Sequence, residues 1–197
     1  MEINFSNEGW YPYLLMSALT LICGWITYAM TRGKASKKPV PILCSVGFVL
    51  YSAGLILLFG CSMRTIQGMA FAMILLYASF QDVETRIVGD YISVEILLLG
   101  LATATPGSIP TRLFLAALSL LPVLLAERFS PNEPIGGADV KITAASVFLI
   151  GNLYGFAGYL AGLVFGIVGN LIVRKKRKEP FPLVPYLAAG FLIAFCL

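Results

Sequence analysis

Two aspartates are the residues from which chemistry can be built. Asp82 opens the charged stretch Asp82-Val83-Glu84-Thr85-Arg86-Ile87-Val88-Gly89-Asp90, and Asp139 lies within Ile135-Gly136-Gly137-Ala138-Asp139-Val140-Lys141. Two carboxylates brought together at a partly desolvated site do not both ionise easily, so they titrate as a unit and share a proton. One then acts as general base toward a water while the other protonates or hydrogen-bonds a scissile carbonyl. That is peptide hydrolysis without histidine, metal or covalent intermediate. Histidine is absent from the 197 residues, which excludes Ser-His-Asp and Cys-His catalysis, HExxH metal hydrolysis and a histidine proton relay.

Each of these residues also has a plainer structural use. Asp82 reads as a solvated charge near a helix C-terminus, where a carboxylate opposes the helix dipole at a cost of about 0.3–1 kcal/mol. Asp139 is a natural N-cap, and so is Asp90 before Tyr91-Ile92-Ser93. Glu95 stands one turn beyond Asp90; an acid inside a membrane crossing defaults to a functional role, although this one is near enough to the interface to reach water. Lys141 either stabilises the ionised form of its neighbour Asp139 or snorkels to the surface. Gly136 and Gly137 offer an extended substrate backbone a close approach to Asp139.

The elements that position these residues are membrane helices. The chain is 58% hydrophobic and 12% charged, with a mean hydropathy of +0.86, the composition of a polytopic membrane protein. Cys23, Cys44, Cys61 and Cys196 are scattered singly through apolar runs, as small packing residues and not as a zinc or disulfide framework. The N-terminal flank carries Glu2 and Glu8 and no A-x-A site follows, so a cleaved secretion signal is not expected.

Apolar runs cover Trp10–Met30, Val40–Cys61, about Thr65–Gln81, Tyr91–Ala104 and Arg112–Phe129, the last interrupted by Pro122. Val140–Val173 is apolar for 34 residues, about 51 Å as helix, so it must break, at Gly151-Asn152. A final run covers Val184–Leu197. The expected fold is therefore all-α, a polytopic membrane helix bundle of about eight transmembrane helices. It reads as one peptidase-sized domain, residues 1–64 forming two leading helices and 65–197 the catalytic part.

Basic residues orient these helices. With both termini outside, the loops at 31–39, 82–90, 127–141 and 174–182 lie inside and hold 12 of the 14 lysines and arginines, leaving only Arg64 and Arg112 outside. Two crossings separate Asp82 from Asp139, so both aspartates face the cytoplasmic side. Tyr91–Ala104 and Asp139–Ile150 are short for crossings, about 21 and 18 Å against a hydrocarbon core of about 30 Å. Either their cytoplasmic ends are recessed in a water-lined cavity, or the bilayer thins locally. Gly155, Gly158, Gly162, Gly166 and Gly169 form a small-residue stripe suited to close helix packing, within the chain or against a second subunit. The Arg174–Lys178 run anchors topology and is suited to anionic lipid.

Gly136-Gly137-Ala138-Asp139-Val140-Lys141 resembles the Gly-x-Gly-Asp motif of intramembrane aspartyl proteases, and in detail that of the type IV prepilin peptidases. Asp82 to Asp90 is similar to the family's first aspartate motif, and Pro182-Leu183-Val184-Pro185-Tyr186-Leu187-Ala188-Ala189-Gly190 is similar to its C-terminal Pro-Phe-Gly-Pro-x-Leu-Ala-x-Gly segment. Ala138 replaces the second motif glycine, and Gly89 stands where many members have proline. The resemblance covers roughly residues 75–197.

It implies Asp82 and Asp139 as the catalytic dyad, with Gly136, Gly137, Ala138, Lys141 and Asp90 binding substrate or supporting the motif, and no metal or other cofactor. It further implies a prepilin-like substrate with a short basic leader, glycine before the cut and an N-terminal hydrophobic helix after it, cleaved at the cytoplasmic face of a prokaryotic membrane. Membrane lipid is the other partner and no nucleic acid is expected. The cysteine-containing N-terminal segment linked to N-methylation in larger members is missing, so a peptidase alone is expected. Competing readings are an archaellin- or presenilin-like protease sharing the dyad, and a small proton- or cation-coupled transporter using Asp82, Glu95 and Asp139. A phospholipid-headgroup transferase lacks its Asp-rich metal motif.

Overall fold

The computed structural model describes residues 11–32, 39–122, 136–173 and 181–197. Trp10, Lys34, Lys37, Lys38, the 123–135 segment with Arg128 and Ile135, and the Arg174–Lys178 run lie outside the described residues. Among those described are eight α-helices of eleven residues or more: α1 Tyr11–Arg32, α2 Pro39–Phe59, α3 Met63–Thr85, α4 Asp90–Thr103, α5 Ile109–Ser119, α6 Gly137–Ile150, α7 Leu153–Val173 and α8 Val184–Cys196. The protein is all-α and multi-pass. By length and apolarity α1, α2, α3 and α7 each suffice to cross a membrane; α4, α5, α6 and α8 have 11–14 residues, about 17–21 Å of rise.

The chain divides into two compact units, residues 1–80 with Cys196 and residues 81–195 with Leu197. In the first, α1 packs on α2 through small and hydroxylated residues. Gly24 meets Val49, and Ser45 Oγ donates to the Gly24 carbonyl at 2.9 Å. Thr20, Thr27 and Thr31 each return a hydroxyl to a carbonyl four residues back, which satisfies polar groups that lipid does not. Gly60, at φ 61°, closes α2, and the Thr65 hydroxyl donates to its carbonyl at 2.7 Å. The turn between α2 and α3 therefore spans residues 60–62, and the helical backbone resumes at Met63.

In the second unit α4 and α6 run parallel. Asp90 at the start of α4 pairs with Lys141 in α6, and Gly100 toward the end of α4 lies on the Leu149 backbone. The long apolar stretch breaks where expected. Gly151, at φ 73°, closes α6, and α7 begins at Leu153. Arg112 completes this turn, donating to the Leu149 and Phe148 carbonyls at 2.9 and 3.3 Å. These are the orphan acceptors of a helix end, so a basic residue on the side opposite the aspartates serves as a C-cap.

The glycine stripe of α7 packs inside the chain. Gly155 faces Val147 of α6, while Gly158 and Gly162 face Gly190, Ala194 and Leu187 of α8, and Gly166 meets Leu183. Along this contact α7 and α8 are antiparallel. The start of α8 accordingly returns to the end of the unit where α6 starts.

Candidate active site

Three helix ends supply the site: the last turn of α3, the first turn of α6 and the first turn of α8. Asp82 does not follow α3 but lies within it, since the helix continues to Thr85. The stretch holds no glycine or proline before Gly89, so polarity alone does not stop it. Arg86 ends the helix in the left-handed region at φ 59°, its N–H donating to the Asp82 carbonyl at 3.2 Å. That conformation is costly for a residue with a β-carbon and turns the chain at once toward Gly89 and α4.

The Asp82 side chain is only 9% exposed. Its Oδ2 accepts the Val184 N–H at 3.0 Å, with the Leu183 amide dipole and the Arg86 charge also acting on it. The sequence of α8 makes these amides available. Val184 opens the helix and Pro185 follows it, so the first amides have no partner within their own helix. Phe181 stacks on Tyr186 with centroids 5.0 Å apart, closing the segment between Pro182 and Pro185. A carboxylate at a helix N-terminus is electrostatically well placed.

Asp139 is not the N-cap of α6. Gly136 holds that position, without a side-chain cap, and Asp139 lies in the first turn with its N–H on the Gly136 carbonyl at 3.0 Å. Its carboxylate folds back over Gly136, where a β-carbon would come within 2.8 Å of Oδ2. Gly136 thus makes room for the aspartate itself, whereas Gly137 has open space beside it and suits the approach of another backbone. Ala138 and Asp139 are half-buried. The charge of Asp82 acts on Asp139, and that of Asp139 acts on the buried Tyr159 of α7. The two aspartates lie within electrostatic reach of each other at one end of the unit.

The supporting residues fall elsewhere. Asp90 is not an N-cap but the first residue of α4, after Gly89, and makes no capping bond. Its carboxylate instead accepts from Lys141 Nζ at 2.8 Å, both side chains being well exposed. Lys141 is therefore committed to α4 and not to its neighbour Asp139. The ring of Tyr91 covers Gly89 so closely that a β-carbon there would collide with it, and Gln81 Nε2 donates to the Tyr91 hydroxyl at 2.7 Å. Glu95 is exposed on α4 and takes no part in this cluster. Among the described residues, no three carboxylates, thiols or imidazoles converge as a metal site would require.

Sequence reasoning places Leu183 and Val184 in a motif-like segment without a role, and passes over Tyr159. The two amides carry no side-chain signal. Only the prolines around them point to an unsatisfied helix start.

A family model described as the type IV leader peptidase family matches residues 69–173, a span containing both aspartates and Tyr159. The chain is 28% identical over 189 residues to a prepilin leader peptidase/N-methyltransferase of Burkholderia pseudomallei, covering 84% of this chain and 59% of the relative. A protein of the same name from Bacillus subtilis is 23% identical over 152 residues, covering 70% of this chain and 58% of the relative. The chain thus spans about three-fifths of the length of these relatives. No solved structure gives a significant match.

Proposed function

We infer function from one premise: this chain belongs to the type IV leader peptidase family. We propose a membrane aspartyl endopeptidase that removes the leader of prepilin-like proteins, with Asp82 and Asp139 as its dyad. The observation that carries this reading is a pair of carboxylates within electrostatic reach of each other, one buried and amide-bonded, the other half-buried. Sharing one proton, such a pair activates a water and protonates the scissile carbonyl with no further group. Gly136 and Gly137 form the exposed approach to Asp139.

The catalytic part is residues 65–197 of a single peptidase domain. The chain crosses a prokaryotic cytoplasmic membrane about eight times with both termini outside, which puts the three converging helix ends on the cytoplasmic face. The helices of 11–14 residues leave those ends below the headgroups. The hydrophobic helix of the substrate enters the bilayer alongside and presents its scissile bond there.

The test is cleavage of a prepilin-like substrate in membranes. Asp82→Asn and Asp139→Asn each abolish cleavage while the protein still inserts, and EDTA leaves the unsubstituted enzyme active. Near-normal activity in either variant removes that aspartate from the dyad.

A further inference from the structure

The two carboxylates are held unequally, and the inequality bears on which does what. Asp82 accepts the Val184 N–H at 3.0 Å and feels the Leu183 amide dipole and the Arg86 charge. Among the described residues no hydrogen-bond donor reaches the Asp139 carboxylate. The cation nearest to it in sequence, Lys141, is held by Asp90 at 2.8 Å. The other titratable groups acting on Asp139 are Asp82 from α3 and Tyr159 from α7; α8 faces the site with backbone amides and no charged side chain. Asp139 does lie in the first turn of its own helix, whose dipole favours an anion, but a direct amide bond to the charged form acts more strongly than that field.

We propose that Asp82 is the carboxylate that takes the proton from water, that Asp139 carries the shared proton, and that the Val184 amide is the positioning group which fixes this division. The proposal rests on the dyad reading above and assigns the roles within it. The water oxygen bonds to the scissile carbonyl carbon while Asp82 takes one water proton and Asp139 gives its proton to the carbonyl oxygen. This leaves a neutral gem-diol, Asp82 protonated and Asp139 ionised. On collapse the C–N bond breaks, the Asp82 proton passes to the departing nitrogen, and one hydroxyl proton returns to Asp139. Both residues end as they began.

The test removes the amide and keeps the side chain. Val184 is replaced in the full chain by its α-hydroxy acid, which turns the N–H into an ester oxygen, and kcat/KM is followed against pH in membranes. Loss of a hydrogen bond to the charged form moves the acid limb to higher pH by about one unit, and kcat falls with KM little changed. Val184→Ala, which keeps the N–H, retains the normal acid limb. An ester variant that cleaves with an unshifted acid limb overturns the proposal.

A second measurement holds if the ester variant does not fold. The vibrational band of a protonated carboxyl, present at working pH in the unsubstituted protein, is lost in Asp139→Asn; its persistence there overturns the proposal too. Failure of the dyad reading looks different, since Asp82→Asn would then still cleave.

Discussion

The Asp139 carboxylate lies over Gly136, so near that a β-carbon on the glycine would meet Oδ2 at 2.8 Å. The first motif glycine is the floor under the aspartate. Gly136→Ala therefore displaces the carboxylate without touching the rest of α6, and a shift of about 1 Å in a catalytic group costs up to about a hundredfold in rate. Cleavage falls at least about tenfold while helicity and thermal stability in detergent stay near normal. Full activity in this variant would show that the carboxylate works from another rotamer.

Gly190 of α8 touches the Gly158 carbonyl and the Gly162 backbone of α7, and a β-carbon there has no room. Overpacking of this kind costs about 1–3 kcal/mol, so Gly190→Ala lowers the melting temperature. It also lowers cleavage, because α8 carries the amide that bonds Asp82. Gly54 of α2 is the control. It has nothing within 4 Å of an added β-carbon, and Gly54→Ala stabilises the helix by about 0.5–1 kcal/mol.

The Asp90–Lys141 pair joins α4 to α6 with both side chains exposed, 71% and 53%. Exposed pairs contribute about 0.2–1 kcal/mol and weaken with salt. Asp90→Ala and Lys141→Ala each change stability by less than about 1 kcal/mol and leave cleavage within a few-fold of normal. The reversed pair, Asp90→Lys with Lys141→Asp, recovers the lost stability at low salt. Abolished cleavage in Lys141→Ala alone would mean that this lysine acts on the dyad.

The features legible in the sequence are those with local causes. Gly151 marks a break because 34 apolar residues exceed one crossing and glycine tolerates the left-handed turn it adopts. The aspartates fall at one end because helices reverse direction at each turn. What stays hidden is long-range or belongs to the backbone. Asp82 meets Val184 across 102 positions through an amide that every residue but proline possesses. Lys141 meets Asp90 across 51 positions, although Asp139 is two residues away. Arg86 ends α3 in a conformation its residue type disfavours, which propensity does not foresee. Arg112 reads as a stray charge in the sequence, because the α6 carbonyls it caps lie 36 and 37 positions further on.

The helix whose amide reaches back to Asp82 is made well after both aspartates. A ribosome delivers both acids before α7 and the residues that lead to α8 are made. A chain released before Val184 has both acids yet lacks the Val184 hydrogen bond. On the proposed reading, nonsense mutations just upstream of that codon abolish cleavage while leaving every motif aspartate in place. The site proposed above is therefore completed last, when α8 packs against α7 and its first amide reaches Asp82.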